Sequence, residues 1–146
     1  MVRLPFRTKL PRDKANSGAR AENLACHYLT QQGLEIVERN YRTQRGEIDI
    51  IARHAETLVF VEVRLRSNPR FGGAAHSIDA RKQARLISAA QHYLLKTGLT
   101  DAQPCRFDAI CMNAITSASS SGAAANSSPE NNSNIDWLRD AFRPEA

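Results

Sequence analysis

Three charged residues with the spacing D-x(12)-E-x-R lie among apolar residues in the stretch GEIDIIARHAETLVFVEVR, residues 46–64. Asp49 stands among isoleucines, Glu62 is flanked by valines, and Arg64 follows two positions later. A buried carboxylate is costly unless it is paired, hydrogen-bonded or bound to a metal ion. The stretch therefore indicates either a solvated polar face or a site built from carboxylates.

The spacing predicts that the two carboxylates meet across a hairpin. Side chains alternate across a strand, so Glu47 shares a face with Asp49. In the same way, Glu62 shares a face with Arg64. A two-residue turn at residues 55–56 would place Asp49 opposite Glu62 and Glu47 opposite Arg64. Directly opposed Cβ atoms lie about 4.5–5.5 Å apart, and two carboxylates that close repel each other unless a cation binds both.

A polar outer face is the alternative to a metal site. In that case Glu47 and Arg64 form a surface ion pair, and Asp49 is solvated. A register shifted by one residue would place Asp49 and Glu62 on opposite faces and remove the site. The spacing by itself leaves both interpretations open.

The elements around the hairpin predict one α/β domain over residues 17–142, preceded by a flexible basic arm at residues 1–16. Residues 116–134 are a low-complexity loop, which could be a long insertion between the last two strands. A helix that connects two strands of one sheet usually makes them parallel, so we expect a mixed sheet flanked by helices. The predicted elements, in chain order, are a helix from Asn16 or Ser17 to Gln32, strands at 35–42, 45–53 and 57–65, a loop at 67–76, a helix from Ser77 or Asp79 to Thr97, and strands at 105–113 and 135–142.

Apolar residues at helical spacing predict which helix faces are buried. The first helix is expected to bury Ala21, Leu24, Ala25, Tyr28 and Leu29. The second is expected to bury Ala84, Ile87, Leu94 and either Ala90 or Gln91. Trp137, near the end of the chain, is expected to pack back on the domain.

Composition narrows the choice of compartment and partner. The chain has 146 residues and a formal net charge of +5, which suggests an acidic partner. About +4 of this charge lies in residues 1–16, and such a basic arm can equally serve only to solubilise the protein. No apolar run approaches the roughly 20 residues of a membrane span, and residues 1–18 lack the apolar stretch of a secretory signal. We therefore expect a cytoplasmic protein with no membrane partner and with reduced cysteines.

The motifs, taken in order, resemble a known bacterial family. The segments GARAENLACHYLTQQGLEIVERNYRTQRGEIDII, LVFVEVRLR, FGGAAHSIDARKQARLISAAQHYL and RFDAI resemble the YraN-like proteins, and DWLRDAF resembles their C-terminal end. The acidic residue followed by E-x-R is similar to the PD-(D/E)xK signature of restriction-endonuclease-like nucleases. The resemblance implies a restriction-endonuclease-like αβββαβ core, similar to that of Holliday-junction resolvases.

The same resemblance implies a metal-dependent endonuclease that acts on DNA, with branched or repair intermediates as candidate substrates. The implied catalytic residues are Asp49, Glu62, Arg64 and Glu22, and the implied ligands for Mg²⁺ or Mn²⁺ are Asp49, Glu62, Glu22 and Glu47. Arg64 stands where the signature has lysine, and a permanently protonated guanidinium cannot act as a base. Lys82 could supply the missing ammonium, or it could be a solvated helix residue.

Basic residues near the hairpin predict a nucleic-acid interface. The predicted phosphate contacts are Arg42, Arg45, Arg66, Arg70 and Lys82. Scattered surface charge is the alternative. A non-catalytic nucleic-acid-binding module with a nuclease fold is the second functional hypothesis, and RNA as the substrate and a homodimer as the active form stay open.

Overall fold

The structure is a computed structural model that describes residues 12–66, 78–99, 102–113 and 135–144. The predicted order α-β-β-β-α-β-β is confirmed. The predicted loops at 67–76 and 116–134, and residues 1–11 of the predicted arm, lie outside the described residues. The elements are α1 (Arg12–Gln31), β1 (Glu35–Arg42), β2 (Glu47–His54), β3 (Thr57–Arg66), α2 (Ala80–Lys96), β4 (Cys105–Asn113) and β5 (Ile135–Phe142).

The five strands form one mixed sheet in the order β1-β2-β3-β4-β5. The α2 crossover makes β3 and β4 parallel, and the other three neighbouring pairs are antiparallel. This arrangement confirms the predicted mixed sheet and is consistent with a restriction-endonuclease-like α/β fold. Within the described part of the chain, no helix is long and apolar enough to cross a membrane.

Among the described residues, one helix covers each face of the sheet. On one face, α1 packs Ala21, Ala25 and Leu29 against the central strands. On the other face, α2 packs against β2, β3 and β4. Residues 58–61 of β3 are at most 1% exposed, because this strand lies at the centre of the sheet and is covered on both faces.

The buried stripes of the helices differ in part from the predicted ones. Leu24 of α1 is 45% exposed, although its neighbours in the predicted stripe are covered. The predicted α2 stripe is confirmed in part, because Ala90 is buried and Ile87 and Leu94 pack partly buried against the core, whereas Ala84 is exposed. Leu86, Ala89 and Tyr93 of α2 are also buried. Leucine and tyrosine offer more apolar surface to the sheet than alanine, which favours a rotation of the helix that covers them rather than Ala84.

The helix ends follow capping rules more closely in α2 than in α1. Helix α1 begins at Arg12, so the predicted start at Asn16 or Ser17 is wrong. Helix α2 is capped by Asp79, whose carboxylate accepts a hydrogen bond of 2.7 Å from the backbone N–H of Lys82. Gly98 follows the helix with a positive φ of 73°, as expected for a glycine stop.

The β2–β3 hairpin has the predicted register. Residues 55–56 form a two-residue turn, and Ile51 lies opposite Phe60. The backbone pairing of β2 with β3 ends at Ile50 and Val61, whereas the pairing of β2 with β1 continues to Glu47. The two strands therefore separate at the next position, which is occupied by Asp49 and Glu62.

Strand β5 is attached to the sheet through a buried carboxylate. Asp108 of β4 is 1% exposed and accepts hydrogen bonds from Arg106 Nε, Trp137 Nε1 and the backbone N–H of Asp140, all at 2.9–3.2 Å. Trp137 also makes an edge-on contact with Tyr28 of α1. The prediction that Trp137 packs back on the domain is thus confirmed.

Candidate functional site

Asp49 and Glu62 form what we call the acid pair, at the point where β2 and β3 separate. Glu62 is 7% exposed, and Asp49 is half-buried. Burial raises the pKa of both carboxyl groups, and the neighbouring negative charge of Asp49 raises that of Glu62 further. Two carboxyl groups this close favour a proton or a cation between them.

The backbone of β3 holds Asp49 in place. Its Oδ2 atom accepts a hydrogen bond of 2.8 Å from the backbone N–H of Val63. The Asp49 carboxylate thus binds a backbone N–H of β3 beyond Ile50 and Val61, the last backbone pair between the two strands. Because this bond fixes the aspartate relative to β3, the direction of its carboxylate is set by the sheet itself.

Glu62 is held from the opposite side by α2. Its Oε1 atom lies 3.3 Å from Nζ of Lys82. Its Oε2 atom is buried and has no hydrogen-bond partner among the described residues. Burial and the neighbouring charge of Asp49 raise the pKa of Glu62 to about 7, although Lys82 acts in the opposite direction.

The pKa of Asp49 depends on burial, on the hydrogen bond from Val63 and on charges from both helices. Burial raises its pKa, the Val63 hydrogen bond lowers it, and the negative charge of Glu22 raises it again. Glu22 lies on α1 with Nη2 of Arg39 3.8 Å from its carboxylate. The structure therefore brings Glu22 near enough to influence Asp49 electrostatically, as a third acid beside the acid pair.

The donor set fits a small hard cation that keeps part of its hydration shell. Two oxygen ligands and an unsatisfied buried carboxylate oxygen suit Mg²⁺ or Mn²⁺, which proteins commonly hold through one or two carboxylates. Among the described residues, no group of three or more His, Cys, Asp and Glu side chains is arranged to hold a metal ion. Of the described residues, the acid pair would thus supply the protein ligands, and water or a substrate phosphate would supply others.

Glu47 and Arg64 take different positions from those predicted for them as a directly opposed pair. Glu47 is exposed and lies 3.6 Å from Nε of Arg42, its neighbour on β1. Arg64 is half-buried, and by strand alternation it lies on the same face of β3 as Glu62. The separation of β2 from β3 explains this difference, since Glu47 pairs with β1 only.

The sequence matches an established but uncharacterised family. The model of the uncharacterised protein family UPF0102 matches residues 21–112, which include both members of the acid pair and Lys82. This chain belongs to the UPF0102 family.

Relatives in this family are similar over nearly their whole length. A UPF0102 protein from Nitrosococcus oceani is 48% identical over 136 residues, which cover 93% of this chain and 98% of the relative. The UPF0102 protein NE0719 from Nitrosomonas europaea is 48% identical over 127 residues, 87% and 93% of the two chains. One from Alcanivorax borkumensis is 52% identical over 103 residues, 70% and 82% of the two chains. The resemblance to the YraN-like proteins is thereby confirmed.

The structure places three of the predicted phosphate-binding residues of this UPF0102 protein near the acid pair and does not describe the side chains of the other two. Arg42 and Arg45 are exposed beside the β1–β2 turn, and Lys82 lies between them and the acid pair. Arg66 ends β3 opposite Asn113, and nothing of its side chain is described. Arg70 lies outside the described residues.

Sequence reasoning placed the acid pair and named Lys82 as a possible phosphate contact, but it left open whether this lysine is only a solvated helix residue. The signal that could have identified it is its position in the first turn of α2, because a crossover helix begins near the strand end that carries the acids. The structure also adds Arg85, one turn further along α2, to the basic residues near the site.

Proposed function

We propose that this UPF0102 protein is a Mg²⁺- or Mn²⁺-dependent phosphodiesterase that cleaves DNA, with Asp49 and Glu62 as the metal ligands. The acid pair is the observation that carries this proposal. Two neighbouring carboxyl groups, one with a buried oxygen that has no hydrogen-bond partner among the described residues, are unfavourable in a core and favourable around a hard cation.

The residues around the acid pair have complementary roles in this proposal. A bound divalent ion supplies Lewis-acid polarisation of the phosphodiester and lowers the pKa of the attacking water. The Val63 N–H orients Asp49, and the Lys82 ammonium beside Glu62 binds a phosphate oxygen and stabilises the charge that develops on it. Arg64 binds phosphate and cannot serve as the base.

Lys82 also bears on whether the chain is an enzyme at all. The signature lysine is replaced by Arg64, which taken alone favours a protein that has lost catalysis. An ammonium at 3.3 Å from Glu62 restores a positive group of the expected type, although it comes from α2 rather than from β3. This contact supports the catalytic hypothesis over a purely structural sheet.

A non-catalytic nucleic-acid-binding module is the second candidate, and the same contact favours it in one respect. Lys82 already neutralises Glu62, so the acid pair has an internal counter-cation in the absence of metal. In a binding module this arrangement would simply keep the domain folded. The two candidates differ in whether a divalent ion binds to the acid pair.

Cleavage of labelled DNA tests the proposal. Duplex, single strand, flap and four-way junction are incubated with Mn²⁺ and with wild type, Asp49→Asn, Glu62→Gln or Glu56→Gln. Glu56 is exposed in the turn at the opposite end of the same hairpin and serves as the matched control. We expect cleavage by wild type and Glu56→Gln, and a loss of roughly a hundredfold or more in the two acid-pair variants.

Metal binding by calorimetry separates the two candidates. Binding of Mn²⁺ to wild type and not to Asp49→Asn supports the phosphodiesterase. The absence of both cleavage and metal binding, with DNA binding retained, would falsify it and favour the binding module. If wild type cleaves RNA but not DNA, and the acid-pair variants cleave neither, the proposed phosphodiesterase chemistry would stand with RNA in place of DNA as the substrate.

A further inference from the structure

We propose that a groove between the β1–β2 turn and α2 binds the sugar–phosphate backbone of one DNA strand beside the acid pair. This turn–helix groove is lined by residues 42–47, Lys82, Arg85, Ser88 and His92. The inference rests on the proposed function for its choice of ligand. It adds the path of the substrate strand and residues that the sequence pattern did not indicate.

The groove is formed by two clefts that share the turn residues Arg42–Arg45. One cleft, of about 610 Å³, reaches Lys82 and Arg85, and the other, of about 630 Å³, reaches Ser88 and His92. These four positions of α2 are three or four residues apart, so they lie along one side of the helix. Ten residues of helix extend about 15 Å, the length of roughly four nucleotides of a B-form strand.

The charge of the groove suits a polyanion. Four cationic side chains line it, with Glu47 as the one carboxylate among the described lining residues. Arg42 is paired with Glu47, and Lys82 with Glu62. Arg45 and Arg85 are exposed, and no carboxylate among the described residues lies within ion-pairing distance of either. These two arginines are therefore available to phosphates.

The turn is fixed on the helix before any ligand binds. The Thr43 hydroxyl accepts hydrogen bonds from the backbone N–H groups of Arg45 (3.2 Å) and Gly46 (3.1 Å). The backbone N–H of Thr43 donates to the carbonyl of Gly46 at 2.8 Å. A Cβ atom at Gly46 would collide with the carbonyl oxygen of Arg85, so only glycine permits this close approach. A preformed groove loses little entropy when a strand binds.

Lys82 connects the groove to the acid pair. It lines the cleft, and its Nζ atom lies 3.3 Å from Glu62. A strand that lies along Arg85 and Arg45 would therefore place its next phosphates beside Glu62. The groove would hold the backbone on one side of the cleaved bond, without contacts that read base sequence.

Salt-dependent binding tests the groove without relying on cleavage. The full chain in EDTA is titrated with a labelled duplex at NaCl concentrations from 50 to 300 mM, and the slope of log K against log [NaCl] is measured. The test variant is Arg45→Gln/Arg85→Gln. The control is Arg20→Gln/Arg143→Gln, which removes two exposed arginines that are not in the groove.

Loss of two phosphate contacts should make the slope shallower by about 1.8 and weaken binding roughly 10- to 100-fold at 0.1 M salt. The control double variant should bind nearly as wild type does. Gly46→Ala keeps every charge but displaces the turn, so it should also weaken binding while its far-ultraviolet spectrum stays that of wild type. Equal slopes for the test and control variants would overturn the groove.

The outcomes for the groove and for the phosphodiesterase are separable. Cleavage that depends on Asp49, with normal binding by Arg45→Gln/Arg85→Gln, would retain the enzyme and overturn the groove. Binding lost specifically in that double variant, with no cleavage by any protein, would support the groove and leave a binding module.

Discussion

Asp108 and Glu62 are buried carboxylates of the described core, and their surroundings differ in one decisive respect. Asp108, where β5 attaches, receives hydrogen bonds from Arg106, Trp137 and the Asp140 backbone. Glu62 has one cation at Oε1, an acid beside it and no partner at Oε2. A fully satisfied buried charge is typical of a structural role, whereas a partly satisfied one indicates a site that awaits a ligand.

The contrast concerns free energy as well as geometry. Around Asp108, donors on three residues replace the water that the carboxylate loses on burial. Around Glu62, burial and Asp49 raise the pKa to about 7, so the ionised form is unfavourable in the folded protein. The first carboxylate should stabilise the fold, and the second should reduce its stability until a cation binds.

The largest expected effect is at Asp108. Asp108→Asn replaces an acceptor by an amide whose N–H₂ group faces donors, and it leaves the Arg106 charge without its partner. We expect a loss of about 3–5 kcal/mol in the free energy of unfolding, measured by urea denaturation. Added Mn²⁺ should not restore it. A loss below about 1 kcal/mol would contradict the structural role of this carboxylate.

At Glu62, in contrast, substitution should increase the free energy of unfolding. Glu62→Gln removes an ionisation that costs about 3 kcal/mol at pH 8, calculated from a shift of the pKa from 4.5 to about 7. This cost already includes the opposing effect of Lys82, and the incompletely hydrogen-bonded buried amide offsets part of the gain. We expect metal-free Glu62→Gln to be more stable than wild type by about 2 kcal/mol at pH 8 in the same urea experiment. A destabilised variant would make Glu62 a structural residue like Asp108.

The pH dependence follows from the same pKa. A raised carboxyl pKa contributes stability that is fully present below the unfolded value of 4.5 and is lost as pH rises through about 7. Metal-free wild type should therefore become less stable between pH 5 and pH 8, and Glu62→Gln should show a flatter profile. Thermal unfolding at half-unit pH intervals measures both. Parallel profiles for the two proteins would show that Glu62 titrates normally.

How much of this site could be predicted from the sequence depended on distance along the chain. The period of two in β3 and the two-residue turn fix the register, so Asp49 and Glu62 could be brought together from local rules. The position of Lys82 depends on how the α2 crossover packs, which no local rule determines. Asp108 escaped notice because two of its three donors, Trp137 and the Asp140 backbone, come from β5, far away in sequence.

In the fold, too, features set by local sequence were predicted and features set by long-range packing were missed. The strands at 35–42, 105–113 and 135–142 have the predicted bounds, because local breakers such as Gly33 and Pro104 and the end of the low-complexity stretch mark where they begin. The buried face of α2 was predicted in part: Ala90 belongs to it, but Leu86 and Tyr93 were missed, since only the sheet decides which of two adjacent apolar stripes is fully covered. Glu47 was predicted opposite Arg64, but β2 leaves β3 before that position and pairs Glu47 with Arg42.

A bound divalent ion should satisfy Glu62 as the three donors satisfy Asp108, and it should therefore stabilise the folded protein. A cation that binds the folded state at ten times its Kd stabilises it by about 1.4 kcal/mol. We expect Mn²⁺ to raise the midpoint of thermal unfolding of wild type at pH 8 and to have no such effect on Asp49→Asn. An equal shift in both proteins would locate the binding elsewhere than the acid pair.

The smallest expected effects distinguish the acids that surround the pair. Glu22 raises the pKa of Asp49 through its charge, so Glu22→Gln should weaken the Mn²⁺-induced stabilisation by a few tenths of a kcal/mol, as expected for a partly screened charge. Glu47 is exposed and paired with Arg42, so Glu47→Gln should leave that stabilisation unchanged. Both variants are measured by the same thermal unfolding with and without Mn²⁺. If Glu47→Gln has the larger effect, the cation lies toward β1 and not between Asp49 and Glu62, and the ligand set must be redrawn around residue 47.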